Sequence, residues 1–65
     1  MMVQFFAQQR DEEKCRASLG QRAESLTGLS MSGKAQTIAG VIRSVQSGAT
    51  IYPDYPILVT IEDDR

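Results

Sequence analysis

Residues 35–46 read Ala35-Gln36-Thr37-Ile38-Ala39-Gly40-Val41-Ile42-Arg43-Ser44-Val45-Gln46, and the fold turns on whether they form a strand or a helix. Thr37, Ile38, Val41, Ile42 and Val45 give the β-branched density of a strand, and Gly40 is costly inside a helix. A helical wheel gathers Ala35, Ile38, Ala39, Val41, Ile42 and Val45 on one arc, with Gln36, Thr37, Arg43 and Ser44 opposite. Ser32 would then be the N-cap and Gly48 the residue just past the C-terminus. Composition points to a strand, periodicity to a helix.

The C-terminal segment arbitrates. Ile57-Leu58-Val59-Thr60-Ile61-Glu62 alternates cleanly, with Ile57, Val59 and Ile61 on one face and Leu58, Thr60 and Glu62 on the other. A lone strand cannot satisfy its backbone groups. Residues 36–46 are the partner expected here, in an antiparallel hairpin through Ser47-Gly48-Ala49. If they were helical, the partner would be Met2–Ala7 or a second copy. Between the two segments lies Tyr52-Pro53-Asp54-Tyr55-Pro56. Its prolines favour extended geometry before them and remove donors, and Pro53-Asp54 suits the centre of a type I turn.

Upstream, residues 9–27 are rich in helix formers and place acidic residues early, where the helix dipole favours them. Glu12 and Arg16 stand four apart, and Cys15, Leu19, Ala23 and Leu26 make a narrow apolar stripe. One helix is therefore expected over 9–27, with Gly20 weakening its middle and Gly28 ending it in the left-handed conformation. Met2–Ala7 extends this helix or forms a short strand. Leu29–Lys34 reads as a connector.

Composition limits the function. The chain has 65 residues, seven basic and eight acidic side chains, no histidine, no tryptophan and a single cysteine. A domain this short buries only about 60% of its unfolded surface, so an external support is expected. Cys15 alone excludes an intramolecular disulfide, and one Cys without His excludes an ordinary structural zinc site. A two-fold homo-oligomer is the expected support. Neither half carries a basic excess: residues 1–33 are neutral and residues 34–65 supply the net charge of −1. Nucleic acid is thereby disfavoured as a partner. Met1–Ala7 is too short for a signal sequence, and no apolar run approaches the ~18 residues of a membrane span. A cytoplasmic location without membrane association is expected.

Little in the chain speaks of catalysis. Gly28-Leu29-Ser30-Met31-Ser32-Gly33-Lys34-Ala35 approximates a phosphate-binding loop, but Ala35 replaces the hydroxyl that would hold Mg²⁺ and no strand is expected before it. Cys15 lies on the apolar stripe with no histidine to activate it, and reads as a core residue. The clusters Asp11-Glu12-Glu13 and Glu62-Asp63-Asp64 lack calcium-loop spacing and read as solvated charge. No enzyme, cofactor or metal site is expected. The candidate contact surface is Tyr52, Asp54 and Tyr55, since tyrosines bury a large area at little rotamer cost and prolines pre-organise their loop. Phe5 and Phe6, adjacent on a strand, would face opposite ways, and the outer ring is expected at an oligomer seam.

Two resemblances accompany this reading. Gly40-Val41-Ile42-Arg43-Ser44-Val45 and Asp54–Asp63 resemble two adjacent strands of an SH3-like barrel, although less than half the chain is covered. Gly28–Ser32 followed by Ala35, Ile38, Ala39 and Ile42 is similar to the turn and second helix of ribbon-helix-helix repressors, in which an N-terminal strand reads the major groove. Val3–Ala7 offers only Gln4 as a polar reader in that comparison.

Residues 1–65 are thus expected to form a single small α+β domain, one N-terminal helix packed on a C-terminal antiparallel β-hairpin, as a dimer. The expected function is that of a small non-enzymatic protein-binding module, a regulator or inhibitor of another protein of the kind that phages and mobile elements encode. The alternative is a strand-helix-helix chain with a C-terminal strand, acting as a dimeric ribbon-helix-helix-like DNA-binding regulator or antitoxin.

Overall fold

A computed structural model describes residues 1–64. Four strands, β1 (Met2–Ala7), β2 (Arg22–Ser30), β3 (Ala35–Gln46) and β4 (Ile57–Asp63), form an antiparallel sheet closed in the order β1-β2-β3-β4. One 3-10 turn (Gln9–Asp11) and one short helix, α1 (Glu12–Ala17), link β1 to β2. The protein is a mixed α+β chain in which the sheet dominates.

Residues 35–46 are a strand throughout. The helix that the strand-helix-helix alternative requires is therefore absent from this segment. β3 pairs with β2 along its first half, from Ala35↔Leu29 to Val41↔Arg22, and with β4 along its second, from Gly40↔Asp63 to Gln46↔Leu58. The segments that resemble neighbouring strands of a small barrel are the ones so paired.

The helix expected over residues 9–27 is corrected to six residues, Glu12–Ala17. Gly20 (φ 80°) turns the chain. Its N–H donates to the Ile42 carbonyl (2.8 Å), and Ile42 N–H donates to the Gln21 carbonyl (3.2 Å), so residues 20–21 are already fastened to β3 before β2 begins. Residues 22–27 gain more from ladder bonds to β3 than they would from an isolated helix. Met2–Ala7, left open between helix and strand, is a strand paired along its whole length with β4, from Met2↔Glu62 to Ala7↔Ile57.

Two bulges shape the barrel. In β2 the register shifts between Ala23 and Leu26, where Ser25 has a φ of 57°. In β3 it shifts between Ile42 and Ser44, so the inward series Ile38, Gly40, Ile42 continues at Val45 and leaves Arg43 outside. A bulge bends and coils its strand, which lets so short a sheet close on itself. A globular chain of 7.2 kDa exposes about 4,100 Å² by the usual scaling, and this one exposes 4090 Å².

The barrel interior holds Phe5, Leu26, Ile38, Ile42, Val45, Ile57, Val59 and Ile61, and Cys15 from α1 and Ala7 belong to the same cluster. Gly28 is not a helix terminus; it lies buried in β2, where β2 and β1 come close. A Cβ there would overlap the Phe6 carbonyl oxygen and stand 2.6 Å from Phe5 Cδ2. Among the described residues, no helix is long and apolar enough to cross a membrane.

Candidate functional site

The loop between β3 and β4, residues 47–56, carries Tyr52, Asp54 and Tyr55. Gly48 (φ 87°) turns the chain out of β3, and Ala49 N–H returns to the Pro56 carbonyl at 2.9 Å, closing the loop at its base. At its tip Tyr55 N–H donates to the Tyr52 carbonyl (2.8 Å), with Pro53 and Asp54 in the middle of the turn. The turn expected from the proline is therefore present, and it sets both tyrosines at its two ends.

The two tyrosines do different work. The Tyr52 ring stands edge-on to Phe6, with ring centroids 5.3 Å apart and planes at 73°. Its hydroxyl donates to the Met31 carbonyl oxygen in the β2–β3 turn, 3.2 Å away, and it lies against Gly33, whose absent side chain leaves room for it. Tyr52 thus fastens the loop to the barrel. Asp54 is exposed and Tyr55 half-buried. Asp54 makes no ion pair or side-chain hydrogen bond with a described residue.

Phe5 and Phe6 do face opposite ways, but neither is left uncovered. Phe5 belongs to the interior cluster, whereas Phe6 lies outside it, next to its cross-strand neighbours Leu29 and Leu58. With Tyr52 above it, Phe6 is only 1% exposed. The cover expected from a second copy is supplied by the chain's own loop, so neither ring offers surface to an oligomer seam in this fold.

Tyr55 forms one wall of a groove of about 180 Å³. Gln8, from the end of β1, and Thr27, Gln36 and Thr37, from β2 and β3, complete its polar lining. Gly28 and Ala35 supply small surfaces between them. The ladder pairs Thr27↔Thr37, Gly28↔Gln36 and Leu29↔Ala35 run past it. Sequence reasoning named Tyr55 and missed the other four polar residues. No local signal marks them, since they come from three separate strands or their ends and meet only when the sheet closes. Exposed Met31 and Ile51 lie in the turn and loop that Tyr52 joins.

The remaining charges are mostly engaged. Arg22 bridges Glu24 at 2.7 Å and Asp64, Arg43 bridges Glu62 at 2.7 Å, and Arg16 bridges Glu12 at 3.0 Å. The bonds to Asp64 and Glu24 raise the Arg22 guanidinium further above its already high range. Arg16 also donates to the Val45 carbonyl (3.1 Å), tying α1 across the end of β3. Burial, then the charge of Asp11, pushes the Cys15 thiol up, with Lys14 opposing. That is the reverse of what a nucleophilic thiolate needs. The stretch resembling a phosphate-binding loop runs from β2 through a turn into β3, with no helix N-terminus to receive an anion.

Comparison of the chain with protein-family models, with curated proteins and with solved structures finds no match.

Proposed function

We propose that the chain is a small non-enzymatic protein-binding module that regulates or inhibits another protein through the face bearing Tyr55 and Asp54. The observation that carries this reading is the fastening of the 47–56 loop by Tyr52, which holds the half-buried Tyr55 and a carboxylate that pairs with no described residue on a stiff turn. A side chain held in place before binding loses little entropy on contact, which is how small surfaces reach useful affinity. Size supports the same reading. A groove of about 180 Å³ falls below the ~300–1,000 Å³ of sites that enclose small molecules, and suits part of a longer chain.

Tyr52 contributes in this reading as an anchor and Tyr55 as the contact. The test is affinity capture from native host lysate with the tagged protein, with and without nuclease, comparing the wild type with a Tyr55→Ala, Asp54→Ala double variant. A protein captured in stoichiometric amount, resistant to nuclease and lost with the double variant, is the expected result. Equal capture by the folded double variant, or recovery of nucleic acid with loss of proteins on digestion, overturns it.

A further inference from the structure

We infer that the seam between β1 and β2 is the point at which this barrel opens, and that Tyr52 is the latch that holds it shut. The seam is a property of the fold and stands whether or not the loop of Tyr52 receives a partner.

Among the described residues, β1 and β2 pair only at Phe5↔Ser30 and Phe6↔Leu29. Each of the other three seams is paired at six positions. Side chains repeat the contrast. Gln4 joins β1 to β4 by its bond to Thr60 (3.3 Å), and Arg43 joins β3 to β4 through Glu62 (2.7 Å). No ion pair or side-chain hydrogen bond among the described residues joins β1 to β2. When β1 and β2 part, every other ladder survives, and the sheet lies open in the order β1-β4-β3-β2. Local opening follows the seam that has least to lose.

Strand alternation identifies the amides that such an opening frees. Ser30 N–H donates to the Lys34 carbonyl (2.8 Å), so Leu29, next to it, turns its own N–H away from β3 and toward β1. Asp63 N–H donates to the Met1 carbonyl (2.8 Å), so the odd-numbered residues of β1 face β4 and Phe6 faces β2. Phe5 and Phe6, adjacent in the chain, therefore place their amides in different seams, Phe5 opposite Val59 and Phe6 opposite Leu29.

Tyr52 spans the weak seam from outside it. Its ring stands edge-on to Phe6 in β1, with centroids 5.3 Å apart, while its hydroxyl donates to the Met31 carbonyl (3.2 Å) in the turn that follows β2. The same side chain lies against Gly33 in that turn. One side chain thus holds both banks of the seam, and it belongs to the loop between β3 and β4, which is part of neither. Parting β1 from β2 must pull Tyr52 from Phe6 or from Met31, and in the first case it strips a buried ring of its cover.

Native-state hydrogen exchange of the full chain, read amide by amide by NMR, tests this. In the wild type, Phe6 and Leu29 are expected to exchange about tenfold or more faster than Phe5 and Val59 once intrinsic rates are divided out. Tyr52→Ala is expected to speed Phe6 and Leu29 by about a further tenfold relative to Phe5 and Val59. Tyr52→Phe, which keeps the ring and loses the bond to Met31, should give a selective rise of about threefold. A general loss of stability, by contrast, speeds all four amides by the same factor. If Tyr52→Ala does not fold, the wild type and Tyr52→Phe decide. Equal protection of Phe5 and Phe6 in the wild type overturns the seam as the opening point. Equal acceleration of all four amides in the folded variants, or none, overturns Tyr52 as its latch.

Discussion

Tyr52 packs edge-on against Phe6, across 5.3 Å between ring centroids, and so an aromatic of the β3–β4 loop closes over an aromatic of β1 that faces away from the barrel interior. The contact joins segments forty-six positions apart in the chain, and it keeps Phe6 from water.

Removing the Tyr52 ring should therefore cost stability. Tyr52→Ala is expected to destabilise the fold by about 2 kcal/mol, combining the lost aromatic pair with the newly exposed part of Phe6. Tyr52→Phe keeps the ring and loses only the exposed bond to Met31, costing less than about 1 kcal/mol. Urea denaturation at equilibrium separates the two.

The glycines offer a sharper comparison. Gly28→Ala must displace a backbone carbonyl and the Phe5 ring, and should destabilise by about 3 kcal/mol or more. Gly20→Ala meets no atom within 4 Å but must hold a side chain at a φ of 80°, which costs about 1 kcal/mol. A smaller loss at Gly28 than at Gly20 would contradict the close approach of β1 and β2.

Cys15 makes the fold sensitive to alkaline pH. Burial holds its proton to higher pH in the folded chain than in the unfolded one, where the usual value is about 9.0. The sign follows by linkage: its contribution is intact below that value and is lost as pH rises through the higher folded value. Denaturation midpoints should fall above about pH 9 in the wild type and fall less in Cys15→Ala. Native Cys15 should also react slowly with iodoacetamide at pH 8, and rapidly once the chain is unfolded in urea.

Tyr55 separates binding from folding. Tyr55→Ala is expected to change stability by less than about 1 kcal/mol while reducing affinity for the captured partner about thirtyfold, the effect of an interface hot spot. Calorimetry and surface plasmon resonance on the same variant check both halves.

How much of this was legible in the sequence is clearest at the two bulges. Ile38, Ile42 and Val45 stand four and three apart, the spacing of a helix stripe. They are in fact inward positions of one strand, with Gly40 silent between the first two and a register shift before the third. Ala23 and Leu26 repeat the pattern in β2, where the shift at Ser25 turns a period of two into a step of three. Strand alternation interrupted by one extra residue therefore imitates helical periodicity over short windows. The β-branched composition of β3 was the more reliable signal, because it reflects side-chain fit to a pleated surface and does not depend on register.

By itself, the sequence determined the strand at Ile57–Glu62, the turn at Tyr52–Tyr55, the opposite facing of Phe5 and Phe6 and the exclusion of an intramolecular disulfide. Each of these follows from residue type and immediate neighbours. Only the tertiary structure decided that residues 22–27 join β2 instead of a helix, that the chain's own Tyr52 rather than a second copy covers Phe6, and that Gln8, Thr27, Gln36, Thr37 and Tyr55 line one groove. The physical reason is the same in each case. Closing the barrel brings together groups far apart in the chain, and the ladder bonds and buried area gained there outweigh the preferences of any local segment.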